Sequence, residues 1–321
     1  MAIAKERTPL LVIGGFLGAG KTTVLNHLLS AASGQRFLAL INDFGAINID
    51  RALIASSSAD TIELTNGCVC CNIGDDLSQA LIQALARRPL PDAIVIEASG
   101  VSDPWRIAQI GLSAPDLGLD GIVVVVDAGA VLTHAKDPLL ADSLIRQLAH
   151  ADLIIVNKSD QSTGVGLAAV QSLLEAHSPR ARRFVTQMGQ VPIAFLNGRA
   201  LLNHPTHPYE PGCCVHAFHS QSDAGEHKHD ALFSTWSYHP ESAYDLDQLR
   251  ASLDRISSKV LRIKGFVNTL QRGWVELQFA GNRVDVRAPL KMPQSAVVVA
   301  IGLKPDDWVS SLEDCFRMPS T

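Results

Sequence analysis

The chain has 321 residues, 47% of them hydrophobic and 18% charged, with a formal charge of -5. That length suits about two domains with cores that need no cross-links, and a negative chain without a lysine-arginine stripe excludes a nucleic-acid footprint. Nothing approaches the roughly 18 uninterrupted apolar residues of a membrane helix, which excludes a membrane-spanning role.

Lys5, Glu6 and Arg7 before an apolar run superficially imitate a secretory leader, but the run Leu10-Leu11-Val12-Ile13 reads as a buried strand. It leads into Gly15-Phe16-Leu17-Gly18-Ala19-Gly20-Lys21-Thr22, a full match to the phosphate-cradling pattern G-x-x-x-x-G-K-[ST]. Leu25, Leu28 and Leu29 then recur on one helical face. Glycines at 15, 18 and 20, with Ala19 between them, let the backbone curl so that N–H groups face phosphate oxygens, and the helix N-terminus adds its dipole. Lys21 then reaches the β- and γ-phosphates with Thr22 on Mg²⁺, and Thr23 completes the nucleotide-binding set.

A second strand, Phe37–Ile41, runs into a loop with Asp43 and Asp50. Loops at strand C-terminal ends carry function in doubly wound sheets, and these acids can face Mg²⁺ or another metal. Asp43 is the candidate for both a catalytic and a transition-metal role. Next come Gly67-Cys68-Val69-Cys70-Cys71 and a helix with Leu77, Leu81 and Leu85 on one stripe. Three thiols within four residues suit one soft cation, Zn²⁺ or Cu(I), and a helix N-terminus favours their thiolate form. With Cys213, Cys214 and Cys315 the chain has six cysteines, whose clustering suits metal ligation in a reducing, cytoplasmic compartment better than disulfides.

The strand Ala93–Ile96 ends in Glu97-Ala98-Ser99-Gly100. Here the acid is placed for the Mg²⁺ shell or the attacking water, and the glycine lets a backbone N–H approach the γ-phosphate. A further buried strand, Ile122–Val126, is so continuously β-branched that helices are expected on both sheet faces. The strand Leu153–Val156 delivers Asn157-Lys158-Ser159-Asp160. A carboxylate at Asp160 can accept from guanine N1–H and the exocyclic amine; adenine leaves it unpaired, at a cost of about 1–3 kcal/mol. Asn157 is expected to buttress the loop and the Lys158 stem to cover the ring face.

In this order the motifs resemble the CobW-type family of metal-handling GTPases, which includes nitrile hydratase activators and zinc-transfer chaperones. The matching pieces are Gly14 to Thr23, Asn42-Asp43-Phe44-Gly45, the Cys68 motif, Glu97 to Gly100, Asn157 to Asp160, and Val260-Leu261-Arg262-Ile263-Lys264-Gly265-Phe266 in the C-terminal part. The resemblance implies slow hydrolysis of GTP to GDP, a transition metal at Cys68, Cys70 and Cys71 (Zn²⁺ foremost, Co²⁺ the other choice), and delivery to a client metalloprotein. It departs at two places, Asp43 and Ala46, where the family commonly has Glu; the lysine of related dimeric ATPases that would fall at Phe16 is also absent.

From about Thr186 to Asp230 the periodicity fades, and His204, His207, Cys213, Cys214, His216, His219, His227 and His229 appear among Pro, Gly, Ser and Gln. Neutral imidazoles at His216, His219, His227 and His229 can gather a transition ion weakly. Order resumes with a strand at 232–238. Asp245 then caps a helix carrying Leu246, Leu249, Leu253, Ile256 and Val260. Strands follow near 260–268, 274–280, 283–288 and 296–301, with a last helix near 305–316 in which Cys315 packs into the core. The fold class expected is α/β, a doubly wound P-loop GTPase domain with a mostly parallel sheet, plus a smaller α+β C-terminal domain with one sheet face covered by the two helices. The boundaries are 1–203, a His/Cys-rich linker at 204–230, and 231–321.

The leading function is a GTP-driven metallochaperone with an unidentified client; a homo-oligomer is compatible with the sequence. A zinc buffer with a structural nucleotide site is the alternative, and a small-molecule kinase is weakened by the guanine-reading tetrapeptide.

Overall fold

Apolar runs rich in branched side chains dictate the strands Thr8–Gly15, Phe37–Ile41, Ala93–Glu97 and Leu153–Asn157 and most of Leu117–Asp127 in the first sheet. The computed structural model describes residues 7–31, 35–41, 60–63, 73–196, 233–256, 259–280, 283–289, 292–293 and 295–317. The chain divides into two compact units, one spanning Lys5–Leu196 and the other holding Asn197–Thr321.

In the first unit β1 (Thr8–Gly15), β2 (Phe37–Ile41), β3 (Asp60–Glu63), β4 (Ala93–Glu97), β5 (Leu117–Asp127), β6 (Leu153–Asn157) and β7 (Arg182–Val185) form one sheet in the order β3-β2-β4-β1-β5-β6-β7. Every pairing is parallel. Successive strand residues point to opposite faces. One face, with Leu10, Val12, Ile94, Ile96, Val124 and Val126, packs against helices α2 (Ile73–Ala86), α3 (Pro104–Leu112), α5 (Ala141–Ala149) and α6 (Gly164–His177) through residues such as Leu81, Ile107, Leu148 and Val170. Against β1 and β4 also packs α1 (Lys21–Ala31), burying Val24, Leu25, Leu28 and Leu29. The remaining described helices are α4 (Val131–His134) and α7 (Ile193–Leu196).

Two boundaries differ from the expectation. The fifth strand starts at Leu117 instead of Ile122: Gly118, Asp120 and Gly121 interrupt the apolar run, and the pairing with β1 continues across a bulge that skips Asp120, with Leu119 opposite Leu10 and Gly121 opposite Leu11; a buried Asp152 carboxylate accepts from Ile122 N–H at 2.8 Å. Order also continues past Thr186, through α7 with buried Phe195 and Leu196.

In the second unit β8 (Phe233–Tyr238), β9 (Val260–Thr269), β10 (Gly273–Ala280), β11 (Arg283–Arg287) and β12 (Val297–Leu303) form an antiparallel sheet in the order β11-β10-β9-β12-β8. One face, with Trp236, Ile263, Val267, Leu277 and Val298, is packed by Leu246, Leu249 and Leu253 of α8 (Leu246–Leu253) and by Leu312, Cys315 and Phe316 of α9 (Val309–Phe316). Asp245 caps α8 by accepting from Gln248 N–H at 2.9 Å, and that bond, the largest cause, lowers its carboxyl pKa. The helix expected to reach Val260 stops at Leu253. Ile256 still enters the same core through a turn, while Val260 opens the central strand β9. Burial pushes the Cys315 thiol up to about 12. Among the described residues no helix is long and apolar enough to cross a membrane.

Candidate functional site

The C-terminal ends of β1, β4, β5 and β6 converge on one crevice, the place where an open parallel sheet binds ligands. At the end of β1, Gly15, Gly18 and Gly20 all have positive φ, at 135°, 75° and 102°. A Cβ on Gly15 would collide with the Val125 carbonyl and one on Gly20 with Asn157 Nδ2, so side chains are excluded on packing grounds as well. The loop closes through Ala19 N–H to Phe16 C=O at 3.1 Å, and Val24 N–H donates to Gly20 C=O at 3.0 Å as α1 begins. Lys21 is 7% exposed, and its ammonium donates back to Phe16 C=O at 3.2 Å.

Across the crevice Glu97 ends β4, 4% exposed, and Thr22 Oγ1 donates to its Oε1 at 2.8 Å. The turn after it is pressed on the glycine loop: a Cβ on Gly100 would lie 2.7 Å from Leu17 N. Asn157, at the end of β6 and 2% exposed, joins two loops. Its Nδ2 donates to Ala19 C=O at 3.0 Å, and its Oδ1 accepts from Gly189 N–H at 2.9 Å. Lys158 follows in the left-handed region, φ 55°, and its ammonium pairs with Asp127 at 2.8 Å. Asp160 is exposed in the short turn Ser159–Gln161.

Lys21, Thr22, Glu97, Gly100 and Asn157 are thus brought to one crevice, with Asp160 two residues beyond Lys158. A backbone curl that only glycine fits, a buried ammonium and a hydroxyl–carboxylate pair fit a nucleoside triphosphate with a hard cation. Asp43, Asp50, Cys68, Cys70, Cys71, Cys213, Cys214, His204, His207, His216, His219, His227 and His229 lie outside the described residues. Among the described residues no group of three or more His, Cys, Asp or Glu is placed to hold a metal ion.

Sequence reasoning missed two parts of the crevice. Asp127, at the end of β5, also accepts from Gly129 N–H at 2.8 Å and so fixes the turn that anchors Lys158. The loop Thr186–Gln190 is closed by Thr186 Oγ1 donating to Gln190 C=O at 2.6 Å. It lies against α1, since a Cβ on Gly189 would be 3.0 Å from Val24 N. The Met188-Gly189 pair, both at positive φ, was the available turn signal.

A parallel sheet with this loop between its first strand and first helix defines a P-loop nucleotide-binding fold. More narrowly, the chain belongs to the CobW/HypB/UreG family: residues 9–185 match that family's nucleotide-binding domain, and residues 233–316 match the cobalamin synthesis protein cobW C-terminal domain. It is 32% identical to the zinc chaperone CobW of Sinorhizobium sp, over 87% of this chain and 87% of that one. It is 35% identical to the zinc chaperone YjiA of Escherichia coli over 46% of this chain and 48% of the relative. It is 28% identical to zinc-regulated GTPase metalloprotein activator 1 of Dictyostelium discoideum over 64% and 51%.

Proposed function

We propose that the protein is a GTP-hydrolysing metallochaperone, which binds a transition metal, Zn²⁺ foremost, at Cys68, Cys70 and Cys71 and passes it to a client metalloprotein. The observation that carries the nucleotide half is the Thr22–Glu97 hydrogen bond at 2.8 Å beside the glycine loop. The metal half is supported by the thiol spacing and by the names of the relatives.

The chain's own groups divide the work. The N–H groups of Gly18 and Gly20 and the Lys21 ammonium hold phosphate oxygens, Ala19 keeps the loop closed through Phe16, and Gly100 offers its N–H to the γ-phosphate. Thr22 and Glu97 are the residues that would hold Mg²⁺, which offsets charge developing on the transferred phosphoryl group. Asp160 reads the guanine edge, with Asn157 holding the loops around it and Lys158 fixed by Asp127. Asp43 contributes to the metal and to the reaction. Residues 204–230, through His216, His219, His227 and His229, form a weak metal-gathering linker between a GTPase domain at 1–203 and the C-terminal domain at 231–321.

Phosphate release from GTP by wild type and Lys21→Ala, together with metal analysis of wild type beside a Cys68, Cys70 and Cys71 triple serine variant, tests this. Turnover lost in the first variant and metal lost in the second are expected. Wild type without turnover, or a triple variant retaining its metal, contradicts it.

A further inference from the structure

The turn after β4 is held from two sides. Ser102 N–H donates to Ser99 C=O at 3.1 Å, closing a four-residue turn over Gly100 and Val101, and the Ser99 and Ser102 hydroxyls are 2.6 Å apart. One side of this turn abuts the Leu17 backbone. From the other, Gln147 Nε2 donates to Gly100 C=O at 3.1 Å.

Gln147 lies on the buried stripe of α5 with Leu144 and Leu148. It is 1% exposed, and its Oε1 is buried without a hydrogen-bond partner. Burying an amide and satisfying only half of it is unfavourable, so an apolar side chain of equal length would pack there more favourably. The amide orientation is set by its neighbour, because turning it over would oppose Oε1 to the Gly100 carbonyl oxygen.

We propose that Gln147 is a positioning residue for the γ-phosphate: by holding the Gly100 carbonyl it pins the residue whose own N–H, on the preceding Ser99–Gly100 peptide, faces the phosphate site, and it ties α5 to the occupancy of that site. This rests on the nucleotide reading above. GTP needs the Gly100 N–H aimed at its third phosphate, whereas GDP makes no such demand, so loss of the Gln147 grip falls on GTP selectively.

The test is equilibrium binding of GDP and of a non-hydrolysable GTP analogue to the full chain carrying Gln147→Met or Gln147→Glu. In the methionine variant analogue affinity should fall about five-fold, the worth of one hydrogen bond, with GDP affinity within about two-fold of wild type. The glutamate variant, which sets a carboxylate against a carbonyl oxygen, should lose more. Equal losses for both nucleotides, or none, overturn the proposal and leave the nucleotide reading standing. A wild type that binds neither nucleotide removes both. Should the variants not fold, hydrogen exchange on wild type decides: α5 amides protected differently with the analogue and with GDP support the coupling, and identical protection overturns it.

Discussion

Thr22 Oγ1 donates its proton to Glu97 Oε1 across 2.8 Å, linking the second residue of α1 to the last residue of β4. With that proton committed, the hydroxyl turns its lone pairs away from the carboxylate, which is what a hard cation requires of a threonine ligand. The pair explains why an acid is tolerated at the buried end of an apolar strand.

Glu97→Ala and Thr22→Ala should therefore impair turnover more than folding. The expected loss in kcat for GTP is on the order of 100-fold, with a higher Mg²⁺ requirement. A Mg²⁺ titration of phosphate release checks this, and wild-type turnover in either variant contradicts it.

Asn157→Ala leaves Ala19 C=O and Gly189 N–H without the side chain that joins them. Two such bonds in a buried setting are worth about 2–4 kcal/mol, about 4–16 °C in Tm for a domain of this size. Calorimetry without nucleotide reads the structural share. Nucleotide affinity should fall as well, and a variant with unchanged affinity would remove Asn157 from the site.

Asp160→Asn replaces a double acceptor by an amide. Preference should move from GTP toward xanthosine triphosphate, whose base carries oxygen where guanine has its amine. Competition binding measures the ratio, and an unchanged ratio would contradict guanine reading by Asp160.

The second unit should weaken in alkali. Burial raises the Cys315 pKa from 9.0 to about 12, and burial, followed by the influence of Tyr238 and Cys315, raises that of Tyr244. Below pH 9 folded and unfolded chains keep the Cys315 proton alike; between 9 and about 12 only the unfolded chain releases it, so stability falls as pH rises. Tyr244→Phe loses the bond from its hydroxyl to Phe316 C=O at 2.6 Å, about 1 kcal/mol at neutral pH, and should show a shallower alkaline decline. Urea midpoints across this range, followed by tryptophan fluorescence, check both; a midpoint that rises with pH contradicts the account.

The strands β1, β2, β4 and β6 were legible because both faces are buried and their sequences are uninterrupted apolar runs, as a parallel sheet between helices demands. The start of β5 was hidden by Gly118, Asp120 and Gly121, because the pairing of Gly118 and Gly121 and the bulge at Asp120 are set by the neighbouring strand β1. In the crevice, the glycine loop and Asn157-Lys158-Ser159-Asp160 were visible as contiguous chemistry. Asp127 and Gln147 were not, since each acts on a residue distant in sequence, Lys158 and Gly100. A residue that acts only by holding a partner distant in sequence leaves no motif of its own.

The metallochaperone proposed above requires its nucleotide and metal sites to sense one another, and linkage makes that reciprocal. The most direct test is the affinity for a non-hydrolysable GTP analogue with and without Zn²⁺, beside the affinity for Zn²⁺ with and without the analogue. The account predicts both ratios equal and at least about five-fold, the scale of about 1 kcal/mol of coupling. Affinities for the analogue that are identical in the presence and absence of Zn²⁺ would contradict it.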